Sequence, residues 1–261
     1  MSSAGAIVLI ASECFGSSCK LEPAREMPMC MRKLIDSVLI ISISVLMISC
    51  SSMPQFALDD KAKNKFLSLS GVIGMEFAGP DVGKCWKYEI NKGELLLKEV
   101  WSCPPQWIKP EPFHIDIPDE APKGLPNIKN YVYHGPYSYN SDKTLIAISV
   151  SPKKSSINYI PTDFVLIRCD KKEILLQTNN HDEYLTIGSI AWSPDAAYLA
   201  ILEMKDKILY GPREIFFTLF SHPISEYTYF LSIYDRNGNL LVRSQVATGL
   251  VGGSGRVFWK H

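Results

Sequence analysis

The chain has 261 residues, and its 27 basic and 27 acidic side chains give a formal net charge of zero. Because a neutral protein offers no excess of cations to a phosphate backbone, the composition argues against nucleic acid as a partner. Hydrophobic residues make up 46% and charged residues 21% of the chain, which is typical of a folded globular protein, so extensive disorder is not expected.

A basic pair followed by an apolar run marks the amino-terminal region. Arg32 and Lys33 precede residues 34–48, in which Asp36 is the one charged side chain. This order predicts a signal peptide. The run of about 15 residues is shorter than the roughly 20 of a permanent membrane helix, which is the alternative interpretation.

The apolar run ends in a short motif around Cys50. The sequence Leu46-Met47-Ile48-Ser49-Cys50 is followed by two serines and resembles the lipobox of bacterial lipoproteins. The resemblance implies cleavage before Cys50, lipid on its thiol and on the new amino terminus, and stable anchoring by two or three acyl chains. Serine after the cysteine resembles lipoproteins sorted to the outer membrane, so we expect a location on its periplasmic face.

These features divide the chain into four parts. Residues 31–49 are the predicted signal peptide. Since export signals begin a chain, residues 1–30 are either an upstream extension with a mis-assigned start or part of an unusually long n-region, the segment that precedes the apolar run. Residues 50–70 are polar and predict a lipidated tether with little order, and residues 71–261 predict the folded domain.

The folded domain contains short runs rich in β-branched and aromatic residues, separated by Gly, Pro, Asn and Asp. No long helical periodicity competes with them. Residues 91–93, 169–172 and 236–239 have the composition of tight turns and predict hairpins between neighbouring runs. The predicted strands are 71–77, 85–90, 94–100, 145–150, 164–168, 173–177, 190–192, 198–203, 230–234 and 240–244.

One turn between two of these runs carries a recognisable motif. Trp192-Ser193-Pro194-Asp195 and the strand after it resemble the TolB-type, WD-repeat-like propeller repeat, although Ala196 stands where that family has Gly. Residues 137–149 form a fainter copy, with Asp142 aligned to Asp195. The resemblance implies an all-β, propeller-like array of antiparallel blades, partial or divergent, with residues 257–259 as a candidate closing strand.

Cysteine and histidine spacing gives little sign of chemistry. Cys85 and Cys103 are close enough in sequence for a disulfide in an oxidising compartment, with free thiols as the alternative, and Cys169 is expected in the core. We expect no cofactor and no metal, because the histidines lack ligand spacing. The five histidines are His114, His134, His181, His222 and His261.

An aromatic-rich insertion is the candidate binding segment. Residues 208–229 interrupt a predicted blade, and their aromatic side chains either form a partner-binding surface or pack on the hairpin itself. The candidate partner-binding residues are Tyr210, Phe216, Phe217, Phe220 and Tyr227.

Two functions from different classes fit this sequence. The first is a membrane-anchored, non-enzymatic lipoprotein that binds a periplasmic or envelope protein, with no catalytic residues. The alternative is an envelope hydrolase or carbohydrate-binding protein that uses acidic loop residues such as Asp116 and Asp119, because propellers also carry hydrolases. A degenerate protein without selected activity is the third interpretation.

Overall fold

A computed structural model describes residues 53–79, 83–103, 121–153, 162–179, 185–208, 225–251 and 253–260. The described part is all-β with antiparallel pairing and contains one helix, α1 (Asp60–Leu67). The strands are β1 (Gln55–Phe56), β2 (Val72–Gly79), β3 (Lys84–Asn91), β4 (Glu94–Ser102), β5 (Tyr131–Tyr139), β6 (Leu145–Pro152), β7 (Asp163–Arg168), β8 (Glu173–Gln177), β9 (Leu185–Trp192), β10 (Tyr198–Ile208), β11 (Ser225–Asp235), β12 (Leu240–Val251) and β13 (Ser254–Lys260).

The strands form three antiparallel sheets. Sheet 1 has the order β13-β2-β3-β4, sheet 2 the order β5-β6-β7-β8, and sheet 3 the order β1-β12-β11-β10-β9. Sheet 2 is built from consecutive strands, as are β9 to β12 of sheet 3, to which β1 adds at the edge beside β12. The last strand, β13, completes sheet 1 beside β2. Within the described residues the three sheets do not close into a ring or barrel.

Two apolar clusters join the sheets face to face. One cluster lies between sheets 1 and 3 and includes Phe77 and Tyr229, whose rings meet edge to face with centroids 5.1 Å apart. The other lies between sheets 2 and 3 and includes Phe164 and Leu199. Burial of each such side chain contributes about 1.5–3 kcal/mol, so the middle position of sheet 3 holds the array together.

The same indole contact recurs at both junctions. Trp192 at the end of β9 donates its ring N–H to the carbonyl oxygen of Ser138 in β5, at 3.1 Å. Trp259 in β13 donates in the same way to Ala191 in β9, at 3.2 Å. Both indoles are buried, so these bonds satisfy groups that water does not reach. Each of these two bonds links a strand of one sheet to a strand of the neighbouring sheet.

The two outer faces of the array differ in character. On sheet 2, Ile146 and Ile148 are fully buried, and residues 121–130 contribute Ile128 to the same apolar cluster. On sheet 1, the outer face is charged, with Glu76 paired to Lys87 at 3.3 Å and to Arg256 at 2.8 Å. The outer face of sheet 2 is therefore covered by residues 121–130, whereas the outer face of sheet 1 carries ion pairs.

The expected tether differs from the structure. Gln55 and Phe56 pair with Thr248 and Ala247 at the edge of sheet 3, and α1 follows directly. Asp59 caps this helix by accepting a hydrogen bond from the backbone of Lys61 at 2.9 Å. Ala62 and Phe66, four residues apart on one helix face, are buried in the cluster between sheets 1 and 3. This apolar pair explains why residues 55–67 are ordered despite their many charges.

All ten predicted strands are present, and the candidate closing strand is the central part of β13. The prediction ended several strands too early, notably β10 and β12, and began β9 and β11 too late. It also missed most of β5, because Gly135 and Pro136 interrupt the apolar pattern and proline removes a backbone donor from a strand. The three predicted turns all join paired strands.

Candidate functional site

A long hairpin of regular pairing leads to the candidate binding segment. Strands β10 and β11 pair without a shift from Tyr198 opposite Asp235 to Ile208 opposite Ser225. The segment between them, 209–224, lies outside the described residues, as do the predicted site residues it contains. Those residues are Tyr210, Phe216, Phe217 and Phe220.

Tyr227 is the one predicted binding aromatic that the structure describes. It is half-buried, lies opposite Asp206 across the hairpin, and packs against the cluster between sheets 1 and 3. Its ring centroid is 6.4 Å from that of Tyr229. Tyr227 therefore anchors the hairpin to the core with part of its ring and leaves the remainder accessible to a partner.

Tyr229 lies deeper and is part of the support. Burial raises the pKa of its phenol well above the usual value, so the hydroxyl stays protonated at neutral pH. The hydroxyl is buried and has no hydrogen-bond partner among the described residues. A Cβ at Gly253 would lie 3.2 Å from this oxygen, and one at Gly255 would lie 2.9 Å from the ring. These glycines let β13 pass close to the tyrosine, and the packing leaves little space for a ligand beside it.

The base of the hairpin is polar on its exposed side. Three consecutive residues of β10 are exposed: Lys205, Asp206 and Lys207. On β11, Glu226 lies opposite Lys207 and is partly exposed. Charges of alternating sign at the base keep this part of the hairpin solvated. A polar, solvated rim is typical of protein-binding surfaces.

The turn between β9 and β10, which contains Ser193 and Asp195, is held by side-chain hydrogen bonds. The backbone N–H of Tyr198 donates to Ser193 Oγ at 2.9 Å, and that of Ala197 donates to Asp195 Oδ1 at 3.1 Å. Bonds from Ser193 and Ala197 lower the pKa of Asp195, because they favour its charged form. Ala196 adopts a φ of 55°.

The fainter copy has the same local geometry. The backbone N–H of Leu145 donates to Asn140 Oδ1 at 2.9 Å, and that of Thr144 donates to Asp142 Oδ1 at 2.9 Å. Lys143, in the position of Ala196, has a φ of 57°. Asp142 and Asp195 therefore accept equivalent backbone hydrogen bonds in their two turns. These bonds give both carboxylates a structural role.

Three buried carboxylates of the described residues, Glu76, Glu89 and Glu203, are paired with cations, whereas the buried Asp163 accepts hydrogen bonds from the hydroxyls of Thr162 and Thr178. Glu203 accepts a hydrogen bond from Arg243 Nε at 2.9 Å and one from Ser232. Burial alone would raise the pKa of Glu89, but the ammonium groups of Lys260 and Lys98 lower it on balance. Carboxylates paired with fixed cations are poor general acids, so we assign Glu89 and Glu203 a structural role within their sheets.

Cys85 and Cys103 form a disulfide that joins β3 to the end of β4. Their Cα atoms are 5.5 Å apart, and Ala78 and Trp101 pack around the bond. Cys169 is free and partly buried beside the apolar cluster of sheet 2, less deeply than the core position expected for it. Burial raises the pKa of its thiol, which lowers the thiolate fraction and hence its reactivity.

Most of the other residues singled out from the sequence lie outside the part of the chain that the structure describes. Cys50, the signal peptide, Asp116 and Asp119 lie outside the described residues. His134 is the one histidine within them, and burial lowers its pKa. Over the part of the chain that the structure describes, no three potential metal ligands lie together, and no helix is long and apolar enough to cross a membrane.

No protein-family model matches the chain, and no curated protein matches it. Sequence and geometry are therefore the grounds for its function.

Proposed function

We propose that the mature chain is a lipid-anchored envelope protein that acts as a non-enzymatic binding module for another protein. The observation that carries this proposal is the continuous pairing of β10 with β11 as far as Ile208 and Ser225. This hairpin is rooted in the central sheet and leads into the aromatic segment 209–224. Tyrosine and phenylalanine side chains have few rotatable bonds, so they lose little conformational entropy on binding, which favours tight partner capture.

The architecture that presents the segment is, in this proposal, a partial propeller of three blades. The four-stranded meanders, the two similar turns and the repeated tryptophan contact support it. Completion of the first blade by the last strand, β13, links the two ends of the described fold and supports the propeller-like arrangement.

A binding role is favoured over catalysis by the state of the described acidic groups. Glu76, Glu89 and Glu203 are each neutralised by cations within the same sheet. Their arrangement provides ion pairs rather than a poised acid and base.

The proposed anchor places the fold close to a membrane surface. Four residues lie between Cys50 and the first strand residue, Gln55, so the two positions are at most about 18 Å apart along an extended chain. The edge of sheet 3 that carries β1 would then face the membrane. A partner bound by segment 209–224 would be held near the same surface.

Site-specific photo-crosslinking in intact envelopes tests the binding role. A photo-reactive amino acid is introduced at Phe217 and, in a matched control, at Lys171 in the exposed turn between β7 and β8. The proposal expects a discrete adduct of one mass from position 217 that is absent from position 171. The adduct should be lost when Phe216→Ala and Tyr210→Ala are added.

Two outcomes would contradict the proposal. Identical adducts from positions 217 and 171 would show unselective collisions. An adduct unaffected by the aromatic replacements, together with loss of carbohydrate binding or hydrolysis in Asp116→Asn and Asp119→Asn, would favour the enzymatic or carbohydrate-binding alternative.

A further inference from the structure

Strand β4 is an open edge of sheet 1 with an apolar surface. It is the last strand in the order β13-β2-β3-β4, and no further strand pairs with it among the described residues. Leu97 and Val100 are 51% and 48% exposed, although they lie within a strand of nine residues. A long edge with exposed apolar side chains and open backbone groups can accept another strand.

A bulge at the middle of β4 sets which side chains share a face. Tyr88 lies opposite Leu97, whereas its neighbour Lys87 lies opposite Glu99, so Lys98 is the extra residue. Lys98 contacts Glu89 on the charged face of the sheet, at 3.6 Å. Lys98 and Glu99 therefore point to the charged face, and the exposed apolar pair points to the other.

We propose that β4 pairs antiparallel with β4 of a second copy of this chain, about a two-fold axis between Lys98 and Glu99. In this register Lys98 lies opposite Glu99 of the other copy, and Leu97 lies opposite Val100. Each pair occurs twice because the interface is symmetric. Apolar side chains are then buried against each other on one face, and opposite charges meet on the other.

The register is specific as well as complementary. A slip that shifts the axis onto Lys98 places two lysines opposite each other, and a slip onto Glu99 places two glutamates opposite each other. Like charges directly opposite across a strand pair destabilise it. In the favoured register, the next pair on the charged face is formed by Leu96 of one copy and Trp101 of the other. Both side chains are partly buried within each copy, and their contact extends the interface.

The other outer edge strands are less suited to self-pairing. β8 has five residues, and its two ends are the polar Glu173 and Gln177. On sheet 3, the short strand β1 covers part of β12. The combination of length, exposed apolar side chains and matched charges is found on β4.

The test is the dissociation constant of the dimer, measured by sedimentation equilibrium on the full-length protein in detergent. Leu97→Lys and Val100→Glu should each raise it about tenfold or more, since each places a charge against an apolar partner twice. The double variant should recover most of the affinity, because the introduced charges then face each other. Ile174→Lys, at a similarly exposed site on β8, should leave the constant unchanged.

Thermal melts of the variants serve as the folding check, since both positions are half exposed and carry no ion pair among the described contacts. A wild-type protein that stays monomeric at all concentrations would overturn the proposal. So would a double variant weaker than either single variant, because that result requires another register or another surface.

Discussion

At the residue scale, Ala196 is the clearest local conflict in the fold. Its φ of 55° lies in the left-handed region, where a Cβ meets the following carbonyl and costs about 1–2 kcal/mol. The turn enforces this conformation, because Ser193 and Asp195 hold the backbone on both sides by hydrogen bonds. The hydrogen bonds of the turn therefore hold Ala196 in a conformation that alanine by itself disfavours.

Ala196→Gly is expected to stabilise the protein by up to about 1 kcal/mol. Glycine removes the steric conflict, and this gain is offset in part by the greater freedom of glycine in the unfolded chain. Chemical denaturation of the purified protein, followed by tryptophan fluorescence, measures the change.

The matched control is Ala197→Gly at the next position, which does not have a positive φ. This variant should lose about 0.5–1 kcal/mol, because it gains flexibility without relief of strain. Equal destabilisation by both replacements would contradict the structural assignment of the turn.

At the scale of elements, sheet 1 depends on links between strands that are far apart in sequence. β13 comes from the end of the chain, and β4 is tied to β3 by the disulfide between Cys85 and Cys103. The bond closes a loop with a sequence separation of 18, which restricts the unfolded chain and stabilises the folded one. The same bond holds the end of β4, the strand of the proposed dimer.

Cys85→Ala with Cys103→Ala is expected to lower the free energy of unfolding by about 3 kcal/mol, from the loop length. Denaturation of protein purified from the envelope without reductant, in wild type and double variant, gives this value. Alkylation followed by mass measurement should label Cys169 alone among the described cysteines of the unreduced wild type.

Cys169→Ser is the control, because this thiol is free and only partly buried, and a smaller loss is expected. Labelling of Cys85 and Cys103 without reductant would show that the bond does not form in the cell. The proposed export of the chain would then lose one of its supports, since such bonds persist mainly outside the cytosol.

At the scale of the whole molecule, the amino-terminal motif predicts how the chain is delivered and held. A mature protein that begins at acylated Cys50 should have a mass that lacks residues 1–49, carry a fatty-acid label and fractionate with membranes. Cys50→Ala should abolish the label. Intact mass and metabolic labelling measure both effects.

The position of Cys50 allows loss of the fatty-acid label to be distinguished from misfolding. Cys50 lies before β1, the first strand, so its replacement should leave the melting temperature of the domain unchanged. An unlabelled wild-type protein that begins near Met1 would refute the lipoprotein proposal, and with it the proposed location on the outer membrane.

Much of the all-β fold could be predicted from local sequence. Runs such as 145–150 combine β-branched residues with clear boundaries, and the turn at 236–239 is held by Asp235, which accepts the backbone N–H groups of Asn237 and Asn239. Such signals act over a few residues, so they can be read without knowledge of the fold. The exceptions were β5, broken by Gly135 and Pro136, and the short helix α1.

The sequence by itself determined that the chain forms antiparallel β-strands, where most of them lie and where the motif at Cys50 stands. Only the tertiary structure decided that β13 joins β2, that Phe66 orders the segment after β1, and that Tyr227 rests partly on the core. These features depend on contacts between residues that are distant in sequence, and the free energy that selects them comes from burial between sheets.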